Sequence, residues 1–391
     1  MKIAVTICEY NPFHNGHLYS LEQIKKISDA DAVICVMSGN FTERGDIAVM
    51  HKYTRARHAI LAGADMVIEL PTVFATAPAE IFAKGAVKIA ECLNGERTLF
   101  FGIENGDKEG LIATADYLLR ETAEFKAALK EELQAGVSFA KARYNALEKI
   151  NPPGIDLGYT LSPNNILALE YTKAIIERGY KTDIAPIIRT GAGYKADKPK
   201  GIYYSASGIR QMIADGKYKK TAKFMPKFVF DDLPSALPDV DKEILYALLS
   251  TPKKELADIT DCSEGLENRI KALLKDCTSR TELINKLATK RYTVPRLSRI
   301  TLAAMLKISN KFTEKCLKND LYLKVLALRK DRADLLSELG GKTPFIMRKS
   351  DADNLSSVAR DCFEKDVFAN DIYNIATKKK TNEYYTYFQP H

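Results

Sequence analysis

The sequence predicts an α/β protein, with a parallel sheet covered by helices over residues 1–220 and a basic, mainly helical region over 221–391. Three observations carry this. Short, continuously apolar runs alternate with helical stretches in the first part. Lysine-bearing segments of helical period replace them beyond about residue 220. The charge divides along the same line, with a net of −1 over residues 1–200 and +9 over 201–391, in a chain of 391 residues and net charge +8.

The elements follow in order. "KIAVTIC" reads as the first buried strand, and "AVICVM" (32–37), "MVIEL" (66–70) and "TLFFGI" (98–103) as the next three. Helical stretches at 17–28, 53–62 and 78–93 separate them. Strands without polar alternation are buried on both faces, so this order implies parallel pairing. Residues 107–150 read as amphipathic helix ending at "NPPG", and another helix is predicted over 164–178. A strand ("DIAPIIR", 183–189), a flexible loop ("TGAGYKADKPKG") and a helix opening with "SASGIR" complete the first part. Helices in "PDVDKEILYALLS", "GLENRIKALLK", "RTELINKLATK" and "RLSRITLAAMLKIS" follow. A small α/β patch ("LYLKVLAL", "PFIMR") and a long helix near 353–376 are expected last.

Composition excludes several classes. No apolar run approaches the roughly 18 residues that span a bilayer, and the N-terminal apolar run is too short for a signal peptide, which points to the cytoplasm. The seven cysteines are widely spaced, without CxxC, so they read as reduced core thiols rather than a zinc site.

The chemistry concentrates in "EYNPFHNGH" behind the first strand. It holds His14 and His17, two of five histidines, with Asn15 and Gly16 between them. Such a pair can ligate a metal, transfer a proton or bind phosphate. Metal ligation lacks a third ligand pattern such as HExxH. Acid–base catalysis lacks a nucleophile motif such as Gly-x-Ser-x-Gly. Phosphate binding suits the position best, because ligands of parallel sheets bind at strand carboxyl ends and a helix N-terminus offers free N–H groups. Gly16 lets a ligand approach the backbone, and Pro12 stiffens the loop. In "SASGIR", Ser205 or Ser207 can cap a helix while Arg210 adds charge toward an anion. Which of the two serines makes the contact stays open.

"HNGH" resembles the His-x-Gly-His signature of the nucleotidyltransferase superfamily, and "SASGIR" resembles the second phosphate motif at the far end of such Rossmann-like domains. The run of "EYNPFHNGHLYSL", "MSGNFTERGD", "KYTRARHAILAGADMVIELP", "FGIENGD", "SPNNILALEY" and "SASGIR", in this order, resembles the bacterial tRNA(Met) cytidine acetate ligase family. The likeness covers most of residues 1–220 and continues more weakly beyond. It implies that ATP and acetate give acetyl-adenylate and pyrophosphate, and that the acetyl group passes to the N4 amine of the wobble cytidine of elongator tRNA(Met).

Carried over residue by residue, the resemblance makes Cys8, Glu9, Tyr10, Asn11, Pro12, Phe13, His14, Asn15, Gly16 and His17 the ATP loop. His14, His17 and Arg210 would act at the phosphates. Gly102, Asn164 (or its neighbour Asn165), Arg189, Ser205 and Ser207 would complete the nucleotide site. Gly39, Asn40 and Arg44 of "GNFTERGD" would form the acceptor side. Glu43 stands where the family usually carries glutamine. Magnesium is expected with ATP. Lys52, Arg55 and Arg57 read either as a solvated face or as part of the site, His51 and His58 as structural, and Glu69 either as orienting a site group or as a partner for local donors.

A tRNA partner accounts for the basic second half. Tyr292, Tyr322, Tyr384 and Tyr385 are candidates to stack on bases. Two other functions fit parts of the pattern: a small-molecule adenylyltransferase, and a non-catalytic nucleotide-binding RNA adaptor. The first would not need the extra basic 170 or so residues, and intact phosphate motifs argue against the second.

Overall fold

The computed structural model of the protein describes residues 1–189 and 199–389; most of the expected 190–201 loop lies outside them. The chain opens with β1 (Lys2–Cys8), α1 (Asn15–Ile27), β2 (Ala32–Ser38), α2 (Lys52–Leu61) and β3 (Met66–Leu70). A short α3 (Thr72–Ala75), α4 (Ala79–Glu91) and β4 (Glu96–Ile103) follow. The predicted 107–150 stretch is three helices, α5 (Lys108–Arg120), α6 (Ala123–Gln134) and α7 (Phe139–Ile150). Next come α8 (Pro163–Arg178), β5 (Asp183–Ile188) and α9 (Ala206–Ala214). Ser162 caps α8 and Pro163 opens it, the arrangement that a missing N–H and a fixed φ favour.

The second half begins with α10 (Lys227–Phe230), α11 (Asp241–Ser250), α12 (Lys253–Ala257), α13 (Leu266–Leu273), α14 (Arg280–Leu287), α15 (Val294–Leu306) and α16 (Asn310–Lys318). It closes with β6 (Leu323–Arg329), α17 (Leu335–Glu338), β7 (Phe345–Ile346), α18 (Lys349–Ala352), α19 (Ser357–Thr377) and β8 (Tyr387–Gln389).

The sheet runs β5-β4-β1-β2-β3-β6-β7, with β8 also on β6. The five strands of the first half are parallel, as predicted. The chain moves outward from β1 through β2 to β3, then returns to place β4 on the other side of β1. This reversal opens a crevice at the carboxyl ends of β1 and β4. Alternate residues feed two apolar layers. Ile3, Val5, Ile34 and Val36 face the layer that includes α3, α4 and α8, while Ala4, Val33, Cys35 and Met37 face α1, α2 and α9.

One organisational expectation changes. "LYLKVLAL" and "PFIMR" do not make a separate patch. β6 pairs antiparallel with β3 (Val67 opposite Ala327), and β7 and β8 pair with β6. Strands from beyond residue 220 thus join the same sheet as those of the first part. Lys324 and Leu326 are fully buried in the shared sheet.

The packing of α4 on α3 depends on Gly85, where an added Cβ would come 2.2 Å from Phe74 Cγ. Gly85→Val is expected to overpack this contact and cost about 1–3 kcal/mol, read as a lower denaturant midpoint at unchanged slope.

Candidate active site

A cavity of about 560 Å³ lies in the crevice. Its walls bring together Cys8, Glu9, Tyr10, Asn11, His14, Gly16 and His17 behind β1 with Gly102, Asn164 and Arg189. Arg44, Ser205, Ser207 and Arg210 also line it. Residues more than 200 positions apart in sequence thus share one site.

The β1–α1 loop turns sharply at Tyr10, whose φ is +48°. Asn11 secures the turn from two sides: its Oδ1 accepts from the Val49 N–H at 2.8 Å, and its carbonyl accepts from Arg210 Nη1 at 2.8 Å. Phe13 is buried beneath the loop, packed edge-on to Tyr10 with ring centroids 4.7 Å apart. Asn15 points away from the cavity and donates to the carbonyls of Ile202 and Lys223. Phe13, Asn15 and Pro12 therefore hold the loop without lining the cavity.

His14 is the N-cap of α1. Its Nδ1 accepts the Gly16 N–H at 3.1 Å, and His17 Nδ1 accepts the His14 N–H at 3.3 Å. Both Nδ1 atoms are acceptors, so each neutral ring carries its proton on Nε2. The rings stack 3.7 Å apart at 19°. Burial, reinforced by the Arg189 charge, lowers the His14 pKa from 6.5 to about 3. Burial and the His14 ring lower that of His17 as well. The pair therefore presents two neutral N–H donors to the cavity. Because the folded pKa of His14 lies below its unfolded value, this contribution to stability is complete above pH 6.5 and is lost as the pH falls toward 3. In an NMR titration the His14 and His17 ring protons are expected to stay flat from about pH 8 to pH 5; a step near 6.5 in either would contradict the assignment.

Across the cavity, Gly102 ends β4 beneath Arg189. A Cβ there would meet Arg189 Cγ at 3.0 Å, so glycine lets the guanidinium stem lie across the strand. Arg189 Nη1 donates to Asn164 Oδ1 at 3.3 Å. Asn164 is the asparagine that lines the cavity. Asn165 is fully buried and committed to the loop after β4, accepting from the Glu104 N–H and donating to Asn105 Oδ1, both at 2.8 Å. Ser205 caps α9 by accepting the Gly208 N–H, and its Oγ lies 3.1 Å from Ser207 Oγ. Both serines and the start of α9 thus face the same space as α1.

The "GNFTERGD" segment divides. Arg44 lines the cavity, and so does Glu43. Glu43 pairs with Arg299 of α15 at 3.0 Å, and its backbone N–H donates to Glu9 Oε1 at 2.8 Å. Burial pushes the carboxyls of both Glu9 and Glu43 up. Gly39 and Asn40, expected on the acceptor side, do not reach the cavity. The missing side chain of Gly39 leaves room for Glu69, whose Oε1 would lie 2.3 Å from a Cβ there. Asn40 is buried, donating to Asn370 Oδ1 and accepting the Lys52 N–H.

Lys52 and Arg55 form no solvated face. Lys52 is buried between Glu69 (2.7 Å) and Glu383 (2.6 Å). Arg55 is fully buried and donates to the carbonyls of Met50, Glu9, Ser38 and Gly39, which fixes the ends of both flanking loops. His51 caps α2 and contacts Asn370 Oδ1 at 2.8 Å, and His58 and Arg57 both contact Asp232. Of the tyrosines considered for base stacking, Tyr322 is wholly buried and donates to Asp366. Sequence reasoning missed Arg299, Pro295 and Tyr171 as lining residues. For Arg299 the one available signal is its spacing of three from Arg296, which puts both on one helix face.

Fold, crevice and the facing "HNGH" and "SASGIR" segments have the form of a nucleotidyl transferase, and the model of the HIGH Nucleotidyl Transferase family matches residues 1–387. The tRNA(Met) cytidine acetate ligase of Caldanaerobacter subterraneus subsp. tengcongensis is 38% identical over 403 residues, spanning 100% of this chain and 99% of its own length. That of Acetivibrio thermocellus is 36% identical over 400 residues, spanning 97% of this chain and 96% of its own. Among solved structures, apo Thermotoga maritima TmcAL superposes with a TM-score of 0.91 at 28% identity, covering 99% of both chains. The same protein bound with alpha-thio ATP gives 0.88 at 27%, covering 100% of both. The chain belongs to the tRNA(Met) cytidine acetate ligase family of HIGH nucleotidyl transferases. Among the described residues no helix is long and apolar enough to cross a membrane.

Proposed function

We propose that this ligase activates acetate with ATP in the crevice and transfers the acetyl group to the N4 amine of the wobble cytidine of elongator tRNA(Met). The observation that carries the reading is the neutral His14–His17 pair: two N–H donors fixed by their own Nδ1 contacts, opposite the guanidiniums of Arg189 and Arg210.

In the first step an acetate oxygen attacks the α-phosphorus of ATP and the bond to the β-phosphate breaks. Charge grows on the leaving pyrophosphate, where preorganised donors are worth most. His14, His17 and Arg210 supply them, with the N-termini of α1 and α9 adding their dipoles. Neutral imidazoles donate without exchanging a proton, so no acid or base is needed at this step. Gly102, Arg189 and Asn164 hold the nucleoside end, and Ser205 and Ser207 the phosphate end. In the second step the cytidine amine attacks the acetyl carbonyl, the C–N bond forms, the bond from the acetyl carbon to the phosphate oxygen breaks so that AMP leaves, and the amine's proton passes to water.

Magnesium would travel with the phosphates. The cavity's carboxylates fit it poorly as ligands, because Glu9 accepts the Glu43 N–H and Glu43 pairs with Arg299. The basic stretch 221–391 is the natural RNA-binding part, and a tRNA substrate keeps the reaction in the cytoplasm. Acetate-dependent exchange of labelled pyrophosphate into ATP tests the first step. Exchange that requires acetate supports it, and exchange indifferent to acetate contradicts it.

A further inference from the structure

The rim of the cavity carries a feature that ATP binding does not use. Phe139, Leu161 and Val294 are 57%, 60% and 51% exposed, among the large apolar side chains left in solvent. Each stands one or two residues from a residue that lines the cavity: Ala140, Pro163 and Pro295. They come from three separate segments, at the start of α7, before α8 and at the start of α15. An apolar rim at the cavity mouth calls for a flat apolar partner that is present only when substrate enters.

A second, open groove is lined by Lys126, Leu129, Lys130, Leu133 and Gln134 of α6 together with Arg291. The groove and the cavity mouth share their flanks. The α6–α7 arm lies on one side, and the segment leading into α15, from Arg291 to Pro295, lies on the other. The two basic pairs in the groove are solvent-exposed. Lys126 contacts Glu121 at 3.0 Å and Arg291 contacts Glu264, and exposed pairs of this kind exchange readily for phosphate.

We propose that this groove and rim form the entry path for a single-stranded segment of the RNA substrate. Phosphates lie along Lys126, Lys130 and Arg291, and the bases next to the reacting one pack on Phe139, Leu161 and Val294. Cations in the groove and apolar platforms at the rim match the phosphates and the bases of an unpaired strand, and a duplex would hide its bases from the rim. The inference rests on the proposed tRNA substrate and adds the α6–α7 arm of the first half to the RNA surface.

The test uses the full-length protein, elongator tRNA(Met) transcript, ATP and labelled acetate. Lys126→Glu/Lys130→Glu is expected to keep acetate-dependent pyrophosphate exchange, raise the Kd for tRNA about tenfold or more, and flatten the salt dependence of log Kd by about two. Phe139→Ser is expected to keep exchange and lower kcat/KM for tRNA about 10- to 100-fold. If wild-type protein acetylates tRNA and both variants match it in Kd and kcat/KM, the entry path is wrong and the function stands. If wild-type protein itself leaves tRNA unlabelled, the proposed function fails and the entry path falls with it.

Discussion

His14→Asn is expected to lower acetate-dependent pyrophosphate exchange about 100- to 1,000-fold while leaving thermal stability and tRNA affinity near wild type. The substitution separates two jobs of one side chain. Asparagine Oδ1 can still accept the Gly16 N–H and so keep the α1 cap, but it sets no N–H where imidazole Nε2 stands. His14→Ala removes both and is expected to lose the same activity plus about 1 kcal/mol of stability. If His14→Asn retained exchange, the imidazole would be a cap and nothing more. If it lost tRNA affinity while retaining exchange, the assignment of the β1–α1 loop to ATP would be wrong.

The second large effect concerns stability. Lys52→Met is expected to cost about 3–5 kcal/mol, because it strands two buried carboxyl groups without the cation they share. Burial opposes charge on Lys52, but Glu383 and Glu69 overcome it and hold the ammonium protonated. Burial pushes the Glu383 carboxyl up to about 8 despite Lys52 beside it. Lys52, Glu69 and Glu383 thus form a buried triad in which one cation faces two carboxyl groups. Among the described residues Glu383 Oε2 has no hydrogen-bond partner, in keeping with a carboxyl that is not fully paired. The triad ties the C-terminal segment carrying β8 to the end of β3, directly under the Gly39 loop. The triple change Lys52→Met/Glu69→Gln/Glu383→Gln is expected to recover most of the loss, since it removes the stranded charges too. Denaturant unfolding of the two variants decides it. Equal loss in both would mean that packing, not charge, sets the cost.

The sequence made much of this site visible through local signals. Continuous apolar runs without alternation fixed β1 to β5 as buried parallel strands, and their order fixed where a ligand would bind. "HNGH" and "SASGIR" each sit at a helix start, where capping and anion binding share one geometry. Long-range pairing was not visible. "LYLKVLAL" is an apolar run like any other, and nothing local says that it pairs antiparallel with β3 across more than 250 residues. Lys52 and Arg55 look like a basic helix face because most of their partners lie elsewhere: Glu69 and Glu383 for one, the carbonyls of Glu9, Ser38 and Gly39 for the other. Gly39 and Asn40 share a motif with Arg44, yet only Arg44 turns toward the cavity. A loop segment alternates between holding itself and presenting side chains, and spacing alone does not say which residue does which. Arg299 reaches the site from the far end of the chain through its contact with Glu43.

The most direct measurement of the central claim follows the acetyl group. Purified protein is incubated with ATP, labelled acetate and elongator tRNA(Met) transcript, and the RNA is digested to nucleosides. Label in N4-acetylcytidine at the wobble position, dependent on ATP and absent in His14→Asn, is the predicted result. Unlabelled RNA, with label accumulating instead in a soluble adenylylated product, would contradict it and identify the crevice as a small-molecule adenylyltransferase site.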